Sequence, residues 1–208
     1  MIAAKQIFLG RSSRLRPYDA EVEYLESTGT QWIDTMHIPT ITTRLRLEAA
    51  VASTGLYGNN GLGSYQSTNR FQILVSTSGG RPRFSATCGS FPSATADFAD
   101  TSRHLFILDN GGGEKPANFA IDAIYSHDYG IAGSLSGGFS IAFFARHNAN
   151  GFSAGPWRIY AASIFEGHSL VRDFIPVRRA GDGYLYDRVS GQPFRNAGAG
   201  EFIIGIDK

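Results

Sequence analysis

The chain is a succession of short apolar segments separated by glycine-rich turns, and it sustains no apolar pattern with the 3.6-residue period of an amphipathic helix. Residues 44–49 alternate polar and apolar side chains, which is the period of a strand with one buried face. Residues 104–109 run into Asn110 and three glycines, and residues 118–125 follow, so we predict a hairpin here. The most apolar run, residues 139–145, predicts a central strand that is buried on both faces.

The last third of the chain predicts a second hairpin. Residues 157–165 and 170–177 have strand character, and residues 166–169 between them form a four-residue loop that contains a glycine. With 208 residues, of which 42% are hydrophobic and 18% charged, the chain can build one domain with a sizeable core. We therefore predict an all-β fold, a two-sheet antiparallel jelly-roll sandwich over residues 19–208, with a short N-terminal arm over residues 1–18.

The predicted arm is basic. Lys5, Arg11, Arg14 and Arg16 all precede the first acidic residue, Asp19. Runs of one charge are usually solvated or serve as docking segments, and we predict that these four residues attach the domain to other subunits of an assembly. The whole chain has a net charge of only +1, so it offers no general attraction for nucleic acid.

Cysteine usage and the N-terminus bear on the compartment. Cys88 is the only cysteine, so an internal disulfide is excluded, and we expect its side chain to be a small buried hydrophobic group. The first residues lack the apolar core of a signal peptide, and no apolar run is long enough to span a membrane. We therefore expect a protein made in a cytoplasm, which would reach the outside by lysis or as part of a particle.

Two segments at opposite ends of the chain carry a family resemblance. Residues 23–35 read EYLESTGTQWIDT, and the second segment runs from WRIY at 157–160 through LVRDFIPV at 170–177 to GYLYD at 183–187 and FRNAG at 194–198. Together they resemble the opening and the ending of concanavalin A-like (laminin-G-like) jelly-roll domains. Such domains occur in phage tail and virion proteins and in surface proteins of gut bacteria. The resemblance extends over roughly the whole chain after residue 20.

This resemblance implies a binding or assembly module that is not an enzyme. It implies that the protein is a phage or prophage module in the virion or tail, and that it forms a homo-oligomer. This module would bind a carbohydrate of the host surface or decorate the particle. If the chain is a domain of a longer protein, the bacterial cell surface is the alternative location. A purely structural particle protein without a glycan ligand is an alternative function. In the ending, Arg172, Asp173, Tyr184, Tyr186 and Asp187 are expected to be structural, with Arg172 paired to Asp187 or to the surroundings of Asp173.

Two polar loops are the candidates for ligand contact. One is the glycine-rich loop at residues 58–63 with its flanking tyrosines, and the other follows the most apolar run, where a rigid strand would position it. Aromatic faces and planar amides are the groups that bind sugars. The predicted ligand-binding residues are Tyr57, Asn59, Asn60, Tyr65, Arg146, His147, Asn148 and Asn150. In the alternative interpretation, the asparagines and glycines only permit the positive φ angles of connecting loops.

A set of acids near the start of the domain raises a catalytic alternative. Glu21, Glu23 and Glu26 have the spacing E-x-E-x-x-E, which resembles the E-x-D-x-x-E strand of bacterial β-glucanases of the same fold. Such a strand can bring an acid and a nucleophile together for glycoside hydrolysis. The chain departs from that pattern at Glu23, which is one methylene longer than aspartate, and it has no neighbouring Trp-rich strand.

The sequence gives no strong metal motif. The histidines at 37, 104, 127, 147 and 168 include no i,i+4 pair and no His-Glu-x-x-His, which argues against zinc. Calcium prefers hard oxygen ligands and is the metal that the loops could hold, although no EF-hand spacing is present. The candidate donors are Asp109, Asn110, His127, Asp128, Asn148 and Asn150.

Overall fold

The segment Thr43–Val51 shows how the chain builds its sheets, because its buried and solvent-facing side chains alternate as the sequence pattern predicts. The structure is a computed structural model that describes residues 16–54, 61–67, 69–90, 93–111, 116–130, 135 and 138–208. Within these residues it contains strands, turns and irregular segments and no helix. In the same residues, no helix is present that is long and apolar enough to cross a bilayer.

The strands of the described residues, numbered along the chain, are β1 Ala20–Glu21, β2 Leu25–Glu26, β3 Ile33–Asp34, β4 Thr43–Val51, β5 Gly61–Gln66, β6 Asn69–Ser78, β7 Arg81–Gly89, β8 Ala94–Thr95, β9 His104–Asp109, β10 Asn118–Ile121, β11 Tyr125–Asp128, β12 Ala142–Phe143, β13 Ala145–Asn148, β14 Gly151–Ala154, β15 Trp157–Glu166, β16 Ser169–Arg179, β17 Asp182–Asp187, β18 Gln192–Phe194 and β19 Ile203–Ile204.

These strands form two sheets. The large sheet has the order β11-β10-β9-β4-β15-β16-β17-β18, and β1, β2 and β19 join it at β16 and β15. The small sheet has the order β14-β13-β5-β6-β7-β8, and β12 and β3 extend it next to β5. The chain passes repeatedly between the two sheets, and nearly all neighbouring strands are antiparallel. The predicted all-β sandwich of two antiparallel sheets is confirmed, and its arrangement agrees with a jelly roll.

Aromatic side chains hold the two sheets together. Phe84 of the small sheet packs edge-on against Phe106 of the large sheet with ring centroids 5.0 Å apart, and Phe143 packs in the same way against Phe174 at 5.4 Å. Trp157 lies beside Phe106 and is fully buried. Each such ring removes a large apolar area from water, and edge-to-face pairs add to that gain. This buried layer is the core of the domain.

The two ends of the described chain lie side by side. Val22 forms a β-bridge with Asp207, the Lys208 amide donates to the Glu21 carbonyl, and the Ala197 amide donates to the Trp32 carbonyl at 2.9 Å. The opening and ending segments, which were singled out in the sequence for their resemblance, are therefore hydrogen-bonded partners in the fold.

The ending also contains a buried carboxylate with a structural role. Asp187 is fully buried and accepts hydrogen bonds from the Asp173 amide at 2.8 Å and from the Ser190 hydroxyl at 2.6 Å. Arg172 lies 3.7 Å from the same carboxylate, as expected from the sequence. A buried charge is tolerated when hydrogen bonds and an opposite charge surround it, and this cluster meets that condition.

A second carboxylate fixes the hairpin between β15 and β16. Glu166 accepts hydrogen bonds from the hydroxyls of Thr40, Thr42 and Thr43 and contacts the His37 ring at 2.8 Å. Burial alone would raise the pKa of Glu166, but these hydrogen bonds outweigh burial and lower the pKa. The predicted four-residue loop of this hairpin is wrong, because Glu166 pairs with Ser169 and only two residues form the turn.

The most apolar run is buried but is not one strand, so that prediction is wrong in part. Ile141 to Ala145 have no exposed surface. However, Phe144 has a φ of 63°, where the chain reverses between β12 and β13. Consequently β12 pairs with β5 in the antiparallel sense, and β13 pairs with β5 in the parallel sense.

The hairpin predicted from residues 104–125 is confirmed for β9 and β10, although the chain turns again at Asp122 to form β11.

Gly63 of β5 makes this arrangement possible. Its φ is +115°, and a Cβ atom on it would lie 2.2 Å from the Phe71 carbonyl oxygen. Gly63 is also the residue of β5 that lies opposite Gln72, Ala142 and Arg146. A side chain here would therefore push apart three strands of the small sheet.

We expect Gly63→Ala to lower the free energy of unfolding by about 3 kcal/mol or more, because it adds a backbone clash to an unfavourable φ. The matched control is Gly79→Ala, where φ is +60° but no atom lies within 4 Å. That variant should cost only about 1 kcal/mol. Urea unfolding measures both values, and equal losses would contradict the steric role of Gly63.

Candidate ligand-binding cleft

The reversal at Phe144 places the second predicted loop beside β5, the strand that carries Tyr65. Arg146 of β13 lies opposite Gly63, and His147 lies opposite Ser64, in the parallel pairing with β5. The hairpin of β13 and β14 then carries Asn148 and Asn150 along the same edge. Residues about eighty positions apart in the sequence are thereby neighbours, held by strands rather than by loops alone.

An open cleft of about 390 Å³ lies at this edge. Four of the predicted ligand-binding residues line it, namely Tyr65, Arg146, Asn148 and Asn150. Gln66, Ser67, Ala149 and Ser153 complete the lining. The cleft therefore presents an aromatic ring, a guanidinium, amides and hydroxyls within one depression, which are groups that can hydrogen-bond the hydroxyls of a sugar.

Tyr65 carries two guanidiniums. The Arg146 guanidinium lies 4.6 Å from the centre of the Tyr65 ring, and that of Arg70, across the β5–β6 pair, lies 5.0 Å from it. The Ser67 carbonyl accepts a 2.7 Å hydrogen bond from Arg70 Nε, which fixes the second guanidinium. Cation–π attraction stabilises both contacts. Arginine side chains therefore contact the ring that the sequence predicted as a stacking platform.

The asparagine turn is ordered by its own hydrogen bonds. The Asn148 side-chain oxygen accepts from the Asn150 amide at 2.8 Å, and the Asn148 side-chain nitrogen donates to the Ser153 hydroxyl at 3.3 Å. Asn150 is exposed at the tip of the turn. These local bonds fix the plane of the Asn148 side-chain amide.

Both burial and a neighbouring charge change the pKa of Arg146. Burial lowers the pKa of its guanidinium, and the positive charge of Arg70 lowers it in the same direction, while Tyr65 acts against them. An arginine nevertheless keeps its proton in proteins. The Tyr65 ring is thus contacted by two positive charges, one from Arg146 on β13 and one from Arg70 on β6.

His147 lies in an aromatic stack rather than in the lining of the cleft. Its ring is stacked on Phe152 with centroids 4.0 Å apart, and Phe152 is stacked on Trp32 at 3.4 Å. The Phe139 ring centroid lies 4.8 Å from that of His147, and the Ser140 hydroxyl is 3.0 Å from His147 Nδ1. Burial lowers the pKa of His147, more than the charge of Asp34 and the Ser140 hydrogen bond raise it. The stack supports the strand from which Arg146 and Asn148 project.

Several predicted site residues fall elsewhere. Two groups of predicted residues lie outside the described residues. They are Tyr57, Asn59 and Asn60 of the first loop, and Lys5, Arg11 and Arg14 of the arm. Arg16 is exposed at the beginning of the described chain.

Two of the three candidate catalytic acids, Glu21 and Glu26, accept hydrogen bonds from different side chains. Glu21 on β1 accepts a 3.0 Å hydrogen bond from the Tyr18 hydroxyl. Glu26 on β2 accepts a 2.7 Å hydrogen bond from Arg158. Between them the strand is interrupted, because Val22 pairs separately with Asp207. The glutamates therefore do not form the continuous strand that a glucanase-like site would use.

The candidate calcium donors divide between two places: Asp109 and Asp128 line a groove on the large sheet, and Asn148 and Asn150 line the cleft on the small sheet. Among the residues that the structure describes, no group of three or more histidine, cysteine, aspartate or glutamate side chains could hold a metal ion. Asn110 is buried and donates to the Thr40 carbonyl, and Asn148 is engaged in its own turn.

A second concave region lies on the large sheet. It is a groove of about 610 Å³. Four residues that lie opposite one another on successive strands line it together with Phe165, namely Arg44, Asp109, Asn118 and Asp128. The Arg44 guanidinium lies 4.4 Å from the centre of the Phe165 ring. The groove carries charges of both signs, in contrast to the cleft of the small sheet.

The sequence reasoning missed Ser67 and Ser153 of the cleft, Arg70 on the Tyr65 ring, and Trp32, Phe152 and Phe139 of the stack. Arg70 could have been found, because Tyr65 and Arg70 flank a short polar segment between two apolar strands, the signature of a hairpin that pairs them. The Trp32–Phe152 contact joins residues 120 positions apart and has no local signal.

Comparison with known proteins gives no match: no family model, no curated protein and no solved structure is significantly similar to this chain.

We expect two histidines to titrate on opposite sides of the usual pKa of 6.5. Burial lowers the pKa of His147. Burial also lowers that of His104, but hydrogen bonds to Asp122 at 2.7 Å and Asp100 at 2.9 Å outweigh it and raise the pKa. Nuclear magnetic resonance titration of the ring protons, assigned with His147→Gln and His104→Gln, measures both values.

The shifted pKa of each histidine determines how its contribution to the free energy of unfolding changes with pH. Protonation of His147 favours the unfolded chain, so its contribution is full above pH 6.5 and is lost as the pH falls below that value. His104 contributes fully below pH 6.5, and that contribution is lost as the pH rises through its folded pKa. A His147 pKa at or above 6.5 would contradict its burial in the aromatic stack.

Proposed function

We propose that this protein is a non-catalytic carbohydrate-binding module, and that the cleft on the small sheet is its binding site. The observation that carries the proposal is the convergence of Tyr65, Arg146, Asn148 and Asn150 on one open depression. These residues come from two separate segments of the sequence: Tyr65 lies on β5, and the other three lie on β13 and in the turn that follows it. Unrelated connecting loops have no reason to share a cleft.

The geometry supports binding rather than bond cleavage. The cleft offers hydrogen-bonding amides and guanidiniums on ordered strands, and no described residue that lines it carries a carboxylate. Glycoside hydrolysis ordinarily needs two carboxyl groups that face each other across the scissile bond. The alternative hydrolase would have to use Glu21, Glu23 and Glu26, of which Glu26 is engaged with Arg158.

The resemblance of residues 23–35 and 157–198 supports a particle setting. We propose a phage or prophage virion or tail module that binds a host surface glycan, acts as a homo-oligomer and contacts other virion subunits through its arm. Oligomers suit this role, because several weak sugar sites on one particle add to a high avidity. The bacterial cell surface is the alternative setting for the same binding site.

The test is a glycan array probed with the purified protein, once with calcium and once with EDTA. We expect saturable binding of at least one glycan, and Asn148→Ala should weaken it about ten-fold by removing an amide of the cleft. Asn118→Ala is the matched control, because it removes an amide from the groove of the large sheet. Weaker glycan binding in EDTA than in calcium would indicate that the protein also binds calcium.

Two outcomes would redirect the proposal. Binding that is lost in Asn118→Ala and kept in Asn148→Ala would move the site to the large sheet. A blank array with the folded protein in its native oligomer would favour the structural or decoration role without a glycan. Release of reducing sugar from β-glucans, abolished by Glu21→Gln, would instead establish the hydrolase.

Attachment through the arm is tested separately. We expect a variant that lacks residues 1–15 to fold, because it keeps the contacts within the described sandwich, such as the hydrogen bond from the Tyr184 hydroxyl to the Pro17 carbonyl at 3.0 Å. We expect this variant to bind glycan as the full chain does and to be absent from particles. Incorporation of the truncated chain at the normal level would overturn the attachment role of Lys5, Arg11 and Arg14.

A further inference from the structure

Both ring nitrogens of one buried histidine contact carboxylates. His104 Nε2 lies 2.9 Å from Asp100 Oδ1, and His104 Nδ1 lies 2.7 Å from Asp122 Oδ2. The His104 side chain is only 7% exposed, so water has little access to either contact. A neutral imidazole carries a proton on one nitrogen only, and its other nitrogen would turn a lone pair toward a carboxylate oxygen. The two contacts together therefore require the doubly protonated imidazolium.

The surroundings of the ring strengthen this charge arrangement. The rings of Phe84, Phe98 and Phe106 pack around His104 with centroids 5.5, 5.8 and 5.9 Å from its own. They exclude water, which increases the attraction between the imidazolium and the two carboxylates. Burial lowers the pKa of His104, but the hydrogen bonds to the two aspartates raise it by more.

The two carboxylates are attached to the domain in different ways. Asp122, in the turn between β10 and β11, is fixed: its Oδ1 accepts a 2.7 Å hydrogen bond from the Leu105 amide, and its own amide donates to the Leu105 carbonyl at 2.9 Å. Asp100 is 51% exposed and belongs to residues 97–103 of the connection from β8 to β9, a segment that we call the strap. When His104 loses a proton, the contact with Asp100 is therefore the one that opens.

The other two charged residues of the strap have partners that keep their charge near neutral pH. Asp97 pairs with Arg83 at 3.0 Å, and Arg103 contacts Glu48. Carboxylates and guanidiniums lose their charges only far from neutrality. Among the described ion pairs of the strap, the Asp100–His104 contact is therefore the one that a change in pH around neutrality can break.

We propose that His104 is a pH switch, which holds the strap against the sandwich while its ring is charged and releases the strap when the ring loses a proton. The proton passes to solvent, and the hydrogen bond from Nε2 to Asp100 is replaced by a repulsive contact between lone pairs. Release moves Phe98 away from Phe84, whose ring centroid lies 5.7 Å from that of Phe98. Because the strap joins β8 of the small sheet to β9 of the large sheet, the aromatic layer between the sheets becomes exposed at this margin.

Amide hydrogen exchange of the full chain over a range of pH tests the switch. The results are expressed as protection factors, which remove the pH dependence of the exchange chemistry itself. The reporters are the Phe84 amide, which donates to the Phe98 carbonyl at 2.9 Å, and the Ser102 amide, which donates to Asp100 at 2.7 Å. We expect their protection to be constant below pH 6.5, to fall by up to about ten-fold per pH unit above it, and to level off beyond the raised pKa of His104.

Three variants separate the switch from a general loss of stability. Asp100→Asn should lower the pKa of His104 and make the step in protection smaller. Asp97→Asn is the matched control, because it removes the same charge from the same strap but leaves His104 its two partners, so the midpoint of the step should not move. His104→Gln should give low protection of the strap at every pH, without a step.

The state of the ring is measured directly on the unmodified protein, so the test stands even if a variant does not fold. Nitrogen-15 magnetic resonance of His104 should show both ring nitrogens protonated in neutral and mildly acidic solution. A single protonated nitrogen there would overturn the proposal. A step that persists in His104→Gln, or a midpoint that moves as far in Asp97→Asn as in Asp100→Asn, would overturn it as well.

Discussion

The packing of aromatic rings between the two sheets is the interaction on which the rest of the structure depends. Phe106 and Trp157 of the large sheet and Phe84 of the small sheet form a continuous buried contact, and Phe143 and Phe174 form another. Neither sheet could bury its apolar face alone. Because both sheets are fixed by this layer, their outer edges can carry polar groups that contribute little to stability. The Tyr65–Arg146 cleft is such an edge.

The position of the cleft follows from two backbone features of the small sheet. Phe144 adopts a positive φ, so the chain leaves the core and returns along β5 in the opposite direction. Gly63 accepts the close approach of the neighbouring strands at the same level. The stack of Trp32, Phe152 and His147 then covers the outside of this reversal. A bulky residue with an unfavourable φ persists only where its surroundings determine it, and here the surroundings are the core itself.

Much of the fold could be predicted from the sequence, because alternating polarity, turn residues and apolar runs are local signals. The strand around residues 44–49, the two hairpins and the burial of Cys88 all follow from such signals. The prediction failed where tertiary packing decides: nothing local in Phe144 indicates a chain reversal, so residues 139–145 were interpreted as one strand. At the cleft, the chemistry of Asn148 and Arg146 could be read from residue types. The second guanidinium, from Arg70, depends on pairing across a hairpin.

The hydrogen-bonded meeting of the chain's two ends has a consequence for how the domain can be built into larger proteins. Val22 opposes Asp207, and the Lys208 amide reaches the Glu21 carbonyl, so the described termini leave the sandwich at the same place. The polypeptide from Glu21 to Lys208 is therefore nearly a closed ring in space, which makes circular permutation of this part feasible. A short linker could join the ends, and new termini could be opened at the turn of Gly79 and Gly80, where no atoms crowd the backbone. The same property lets the domain be inserted as a unit into a surface loop of another protein, with the order of its strands in space unchanged.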